Sequence, residues 1–180
     1  MNRHTLALFF ALAVPPVASL AAPHAHEHGA VKLDVAIDGA ALTIGLEAPL
    51  DSLIGFERAP RNDQERHAAD EVLTRLRSGA GLFSADAAAQ CTLAKVEVQA
   101  PVLDPGTKAS AKTAEAKDEH ADLDATFEYK CAQPQLLRTL NVGLFEAFKR
   151  IQRIDVQVAG PKGQLKSTLK RPARSVPLQR

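Results

Sequence analysis

The sequence predicts an α+β fold: a mainly antiparallel β-sheet built from hairpins, with one main helix. Three observations point there. Two runs of alternating apolar residues flank the dipeptide Asp38-Gly39, a tight-turn signal. Two more flank Gly160-Pro161-Lys162-Gly163. The main helical apolar stripe follows Asn62. Strands joined by tight turns, with the helix set apart from them, belong to the α+β class.

Residues 1–21 read as a signal peptide. Arg3 and His4 precede the apolar run Leu6–Val14, LALFFALAV, and Ser19-Leu20-Ala21 supplies small residues for cleavage after Ala21 or Ala22. The run is shorter than the roughly 20 residues of a membrane span, and Pro15-Pro16 interrupts it. No cysteine follows it to carry a lipid. Export to the periplasm is therefore expected. Residues 22–29, APHAHEHG, form a histidine-rich tail with no apolar face.

A single domain is expected over residues 30–170. Val31, Leu33, Val35 and Ile37 alternate with Lys32, Asp34, Ala36 and Asp38 as a half-buried strand. Leu42, Ile44 and Leu46 continue the hairpin, and Pro49 ends it. Residues 50–60 are a mixture of apolar and polar side chains leading to Pro60, and Glu57-Arg58 within them reads as a surface ion pair. Asn62 or Asp63 caps a helix whose stripe is Ala69, Val72, Leu73 and Leu76, ending near Ser78-Gly79. Leu82-Phe83 reads as a docked turn.

Residues 91–100 and 121–130 alternate as strands around linker 104–118, which has almost nothing to bury. A hairpin centred on Ala111 places Cys91 opposite Cys131, so a disulfide is expected there. Closing that long loop is worth about 4 kcal/mol in the chain-entropy model. The CxxC spacing of a redox or metal pair is missing. A strand through Leu140 and Val142 follows, then a turn carrying Phe145 and Phe148, a strand through Ile154, Val156 and Val158, and a last strand marked by Leu165 and Leu169. Residues 171–180 read as a loose basic tail.

Composition narrows function by exclusion. The formal net charge is +1 with mixed signs, so no basic stripe marks a nucleic-acid surface, and with no tryptophan and one tyrosine, stacking platforms are scarce. HExxH, GxSxG and phosphate-loop patterns are missing, and nothing singles out an acid–base pair, so no enzyme is expected.

Histidine is the informative residue. His24, His26 and His28 alternate in five residues with Glu27 among them. Neutral imidazole suits zinc, copper or nickel alike. In an extended chain these histidines stand about 6.6 Å apart on one side, so a tetrahedral ion needs the tail to curl or to borrow ligands from the folded body. Cleavage after Ala21 would leave Ala22-Pro23-His24, and proline's missing N–H disfavours the amino-terminal copper chelate. His120 lies between Glu119 and Asp122, which is either half of a metal site or a solvated linker end. His67 falls on the polar face of the helix and reads as a surface residue.

These features, in order, resemble the ZrgA-type periplasmic zinc-binding proteins linked to bacterial zinc uptake. The resemblance runs from HAHEHGAVKLDVAIDGAALTIGLEAP through Gly55-Phe56-Glu57-Arg58-Ala59-Pro60 and the helix after it, Leu82-Phe83 before Cys91, His120-Ala121-Asp122 before Cys131, then Leu144-Phe145 and Gly163-Gln164. It implies a zinc cargo, periplasmic action and delivery to an uptake transporter component, with Glu57 joining the candidate ligands. Two departures stand out: Arg58 sits where family members often carry histidine, and the linker has no histidine before His120. The metal set expected is thus His24, His26, His28 and His120, with Glu27, Glu57, Glu119 and Asp122. The competing expectation is a periplasmic interaction module that docks a partner at a sheet edge or at Phe145–Phe148. A metallohydrolase ranks behind both, since no open site with a general base is evident.

Overall fold

The computed structural model describes residues 27–103 and 121–179. The signal peptide, His24, His26, linker 104–118, Glu119 and His120 lie outside them. In chain order the elements are β1 (Ala30–Asp38), β2 (Ala41–Pro49), α1 (Leu50–Ile54), α2 (Asp63–Ser78), β3 (Phe83–Ala85), β4 (Cys91–Gln99), β5 (Asp122–Cys131), β6 (Thr139–Val142), α3 (Leu144–Ala147), β7 (Arg153–Gly160), β8 (Gly163–Lys170) and β9 (Ser175–Pro177). The class is α+β, mostly antiparallel, with α2 as the one long helix.

The larger sheet has six strands in the order β4-β5-β2-β1-β7-β8. The first hairpin closes at Asp38↔Ala41, with Gly39 at φ 55°, a conformation that favours glycine in the turn. β5 pairs antiparallel with β2, Ile44 facing Phe127. β7 runs parallel to β1, Leu33 beside Val156, and this is the one parallel pair among the described strands. The four inner strands, β5, β2, β1 and β7, alternate. Val31, Leu33, Val35, Leu42, Ile44, Leu46, Leu123, Phe127, Ile154, Val156 and Val158 are buried on one face. Asp34, Thr43, Glu47, Asp124 and Gln157 occupy the alternate positions on the other.

The buried face is covered by α2 and the smaller sheet, β3-β6-β9. α2 forms as its sequence dictates. The Asn62 side chain accepts the Glu65 N–H at 2.9 Å, a cap worth about 1 kcal/mol. Ala69, Val72, Leu73 and Leu76 are all buried, and Gly79 ends the helix in the left-handed region. Burying each larger member of that stripe contributes about 1.5–3 kcal/mol. Phe83 meets Phe127 edge-on at 5.0 Å between the layers.

Cys91 and Cys131 face each other across β4 and β5 and form the disulfide, the register expected from a loop centred on Ala111. A bulge between Leu93 and Lys95 then shifts the pairing by one residue. That extra residue lets Leu93 and Val96, three apart, both reach the space beside Gly79.

Four readings of the sequence are corrected. Residues 50–60 contain α1, too short to show a helical period. Leu82-Phe83 leads into a strand, β3, paired with β6. Residues 171–179 are not loose: β9 pairs with β6, and Val176 and Leu178 are buried. Phe145 and Phe148 are buried as well, at 2% and 4% exposure, so they form part of the core and offer no docking surface.

Candidate metal centre

The residues that end the histidine-rich arm are fixed by backbone contacts. Glu27 carbonyl accepts the Ala30 N–H at 2.9 Å, turning the chain into β1. At the turn stands Gly29, with φ +80°, where a Cβ would press within 3.3 Å of the Arg150 carbonyl. Its N–H donates to Ser52 Oγ at 2.9 Å, and Ser52 is fully buried. Its carbonyl accepts from the N–H groups of Gln152 at 2.7 Å and Arg153 at 3.0 Å. His28 is thereby held at a set point over the first turn of α1.

That first turn carries Asp51. His28 Nδ1 lies 3.5 Å from Asp51 Oδ2, and Nε2 lies 3.7 Å from Glu57 Oε1. The imidazole is 68% exposed, whereas Asp51 and Glu57 are 18% and 23% exposed. A solvent-facing imidazole thus stands between two half-buried carboxylates. On the far side of Asp51, Arg150 Nε donates to the Asp51 carbonyl at 2.8 Å, and its Nη2 lies 3.3 Å from Asp51 Oδ1. His28, Gly29, Asp51, Arg150 and Gln152 line an open cleft of about 370 Å³.

The expected pairing of Glu57 with Arg58 is replaced. The Arg58 guanidinium grips Glu65 through two hydrogen bonds of 2.6 and 2.8 Å and lies 4.9 Å over the Phe56 ring. The Arg58 hydrogen bonds and the Arg61 N–H hold the Glu65 carboxyl down to about 2. Turning Arg58 toward α2 leaves Glu57 as the charged side chain of this loop that faces His28.

The other predicted ligands are distributed differently. Glu27 pairs with Arg153 at 2.7 Å, and Arg153 also holds Asp155, so Glu27 belongs to an ion-pair chain along β7. Asp122 starts β5 opposite Pro49. Near it Asp124 faces Glu47, and desolvation followed by repulsion from Glu47 and Asp122 raises the Asp124 carboxyl above its usual range. Just before Asp122, the Ala121 carbonyl accepts the Leu50 N–H at 2.9 Å. Both histidine-bearing segments therefore join the folded body at one place: Gly29 bonds Ser52 and Ala121 bonds Leu50, on either side of Asp51. His67, as expected, sits on the outer face of α2, 3.5 Å from Glu71 and largely exposed.

Among the described residues no group of three or more His, Cys, Asp and Glu side chains is arranged to hold a metal ion. The geometry at His28 gives the reason. Asp51 and Glu57 face different ring nitrogens, so the three groups do not converge on one point. His28 and Glu57 offer one nitrogen and one oxygen, and a tetrahedral ion needs further donors.

Comparison with protein families supplies the context. Residues 25–178 match the model of the ZrgA family zinc uptake protein. The chain belongs to the ZrgA family. Among curated proteins no relative matches. Membership of a zinc uptake family assigns the chain a role in zinc uptake. The family match spans the arm from Ala25, the whole sheet and the buried Val176 and Leu178. No helix among the described residues is long and apolar enough to cross a membrane.

Asp51, Ser52 and Arg150 were missed by sequence reasoning. Pro49-Leu50-Asp51-Ser52 does carry a signal, proline followed by residues favoured in a first helical turn. Arg150 carries none: it meets Asp51 across 99 residues of chain.

Proposed function

We propose that this protein is a periplasmic zinc-binding accessory of an uptake system, holding zinc where the histidine-rich arm meets the folded body. The observation that carries the reading is the position of His28. Its backbone is pinned through Gly29, its Nε2 faces Glu57, and it ends the arm that bears His24 and His26. His28 and Glu57 form the fixed half of the site. In this reading His24 and His26 complete it from the arm, and His120, which precedes Ala121 in the sequence, is a further candidate donor. Glu27, Glu119 and Asp122 assist by adding negative charge around the cation. Borrowing ligands from the body lowers the entropy cost that an unsupported tail would meet on closing around an ion. An open, exposed site suits cargo that must leave again. The family match and the disulfide, which belongs to an oxidising compartment, both support the setting.

The test is isothermal titration of zinc into the metal-stripped protein lacking residues 1–21, at neutral pH. Wild type is expected to bind at a defined stoichiometry. His28→Ala is expected to weaken binding by at least about tenfold, as loss of a ligand does. Replacing His24, His26 and His28 together should abolish that binding event. A triple variant that titrates like wild type would remove the arm from the site and leave the interaction-module reading in its place.

A further inference from the structure

We propose that Asp51, held from behind by Arg150, is the positioning carboxylate of the His28 site. It takes the Nδ1 side of the imidazole, so that Nε2 and Glu57 Oε1 are the pair presented to the metal. The proposal rests on the zinc-binding reading above and assigns the two carboxylates different roles.

Three observations and one general rule carry it. The two ring nitrogens of an imidazole point in divergent directions, so an ion on Nε2 has Glu57 at its side and Asp51 behind the ring. A ligating histidine ordinarily gives its other N–H to a carboxylate, which fixes the tautomer and makes the ligand nitrogen more basic. Asp51 also has a cationic neighbour: its Oδ2 faces His28 while its Oδ1 faces Arg150 Nη2 at 3.3 Å. A divalent ion on that side would approach a guanidinium of like charge, which disfavours Asp51 as a direct ligand. Finally, the guanidinium is seated. Its Nε holds the Asp51 carbonyl at 2.8 Å, and it lies over Gly55, where a Cβ would fall 2.9 Å from Cζ. Gly55, at φ +90°, both ends α1 and leaves the space that Arg150 fills. One guanidinium thus anchors the main chain and the side chain of Asp51 together.

The test reads the His28 tautomer and the zinc affinity separately. In wild-type protein loaded with zinc, ¹⁵N chemical shifts of the His28 ring should report metal on Nε2 and a proton on Nδ1. Asp51→Asn, equal in size but able to present a donor to Nδ1, should weaken zinc binding by about 10–100-fold and mix the tautomers. Glu57→Gln should weaken binding and leave the Nδ1 proton in place. Arg150→Gln should shift both readouts in the direction of Asp51→Asn, and Arg150→Lys, which keeps the charge but loses the two-pronged hold on carbonyl and carboxylate, should recover only part of the loss. Zinc found on Nδ1 of wild type would overturn the proposal without any variant. So would an Asp51→Asn protein with wild-type tautomer and affinity within about threefold. If zinc fails to bind wild type, or His28→Ala binds as wild type does, the zinc reading itself falls and this proposal with it. Binding through His28 with the nitrogens reversed removes only this proposal.

Discussion

Replacing Ser52 by alanine should loosen the arm from the body. Ser52 is fully buried, and its Oγ accepts the Gly29 N–H at 2.9 Å in a buried contact. A neutral hydrogen bond of this kind contributes about 1 kcal/mol, and an orphaned buried N–H adds a desolvation penalty of about 1–3 kcal/mol. The small volume change from serine to alanine adds little. The lower end of the sum is about 2 kcal/mol, which for a domain of this size lowers the unfolding midpoint by about 6 °C. There is a ceiling on that figure. Gly29 is also held through its carbonyl by Gln152 and Arg153, so if those two bonds yield, the arm detaches locally and global stability falls by less. The two outcomes separate in one experiment: urea unfolding gives the global loss, and amide hydrogen exchange at Gly29 gives the local one. Either should be accompanied by weaker zinc binding, because His28 loses its fixed position. A loss below about 0.5 kcal/mol with Gly29 still protected and zinc affinity unchanged would refute the reasoning. The arm would then be registered by β1 and β7 alone.

Other expectations follow from the fold. Cys91→Ser with Cys131→Ser should cost about 4 kcal/mol, read as a lower urea midpoint, and wild type in reductant should match the double variant. Phe127→Ala removes a fully buried ring that packs against Phe83, so a loss of about 3–5 kcal/mol is expected in the same assay. Asp86 accepts the Arg138 and Thr139 N–H groups at 2.6 and 2.7 Å; Asp86→Ala should cost about 1–3 kcal/mol and expose the Thr139 amide to exchange. Glu65 titrates in the folded protein at about 2, below its ordinary 4.5. A depressed carboxylate stabilises above its unfolded value and loses that contribution as pH falls through the folded one. The thermal midpoint should therefore fall between about pH 4.5 and 2, and Glu65→Gln should flatten the fall within that window.

The parts of the fold that were legible share a physical origin. β1, β2, β5 and β7 bury one face each, so apolar alternation marks them without help from neighbours. The Cys91–Cys131 register was legible because the linker has nothing to bury, which forces the hairpin to be counted from its middle. Other features depend on residues far apart in sequence. β3 and β9 have three residues each, too few for a period, and exist because both pair with β6. The parallel pairing of β1 with β7 leaves no turn residues to announce it. At the site, the arm's histidines and Glu57 were visible as residue types, but the partner of Glu57 was misread. Adjacent charges in a chain suggest a pair, whereas here Arg58 turns away to Glu65 and the Glu57 carboxylate faces a histidine 29 positions earlier.

The placement of β1 in the interior of its sheet bears on when the protein becomes competent. A first strand at an edge could be completed by its immediate successor. β1 needs β2 on one side, which follows at once, and β7 on the other, which begins at Arg153. The N–H groups that hold Gly29 come from Gln152 and Arg153, and the guanidinium behind Asp51 comes from Arg150, all at the entrance to β7. A chain emerging amino-end first therefore exposes its histidines long before it owns a seat for them. Ser52 can hold Gly29 early, but the contacts from Gln152, Arg153 and Arg150 arrive only when the late strand docks, so the proposed cargo site is completed by residues made more than a hundred positions after the arm's histidines.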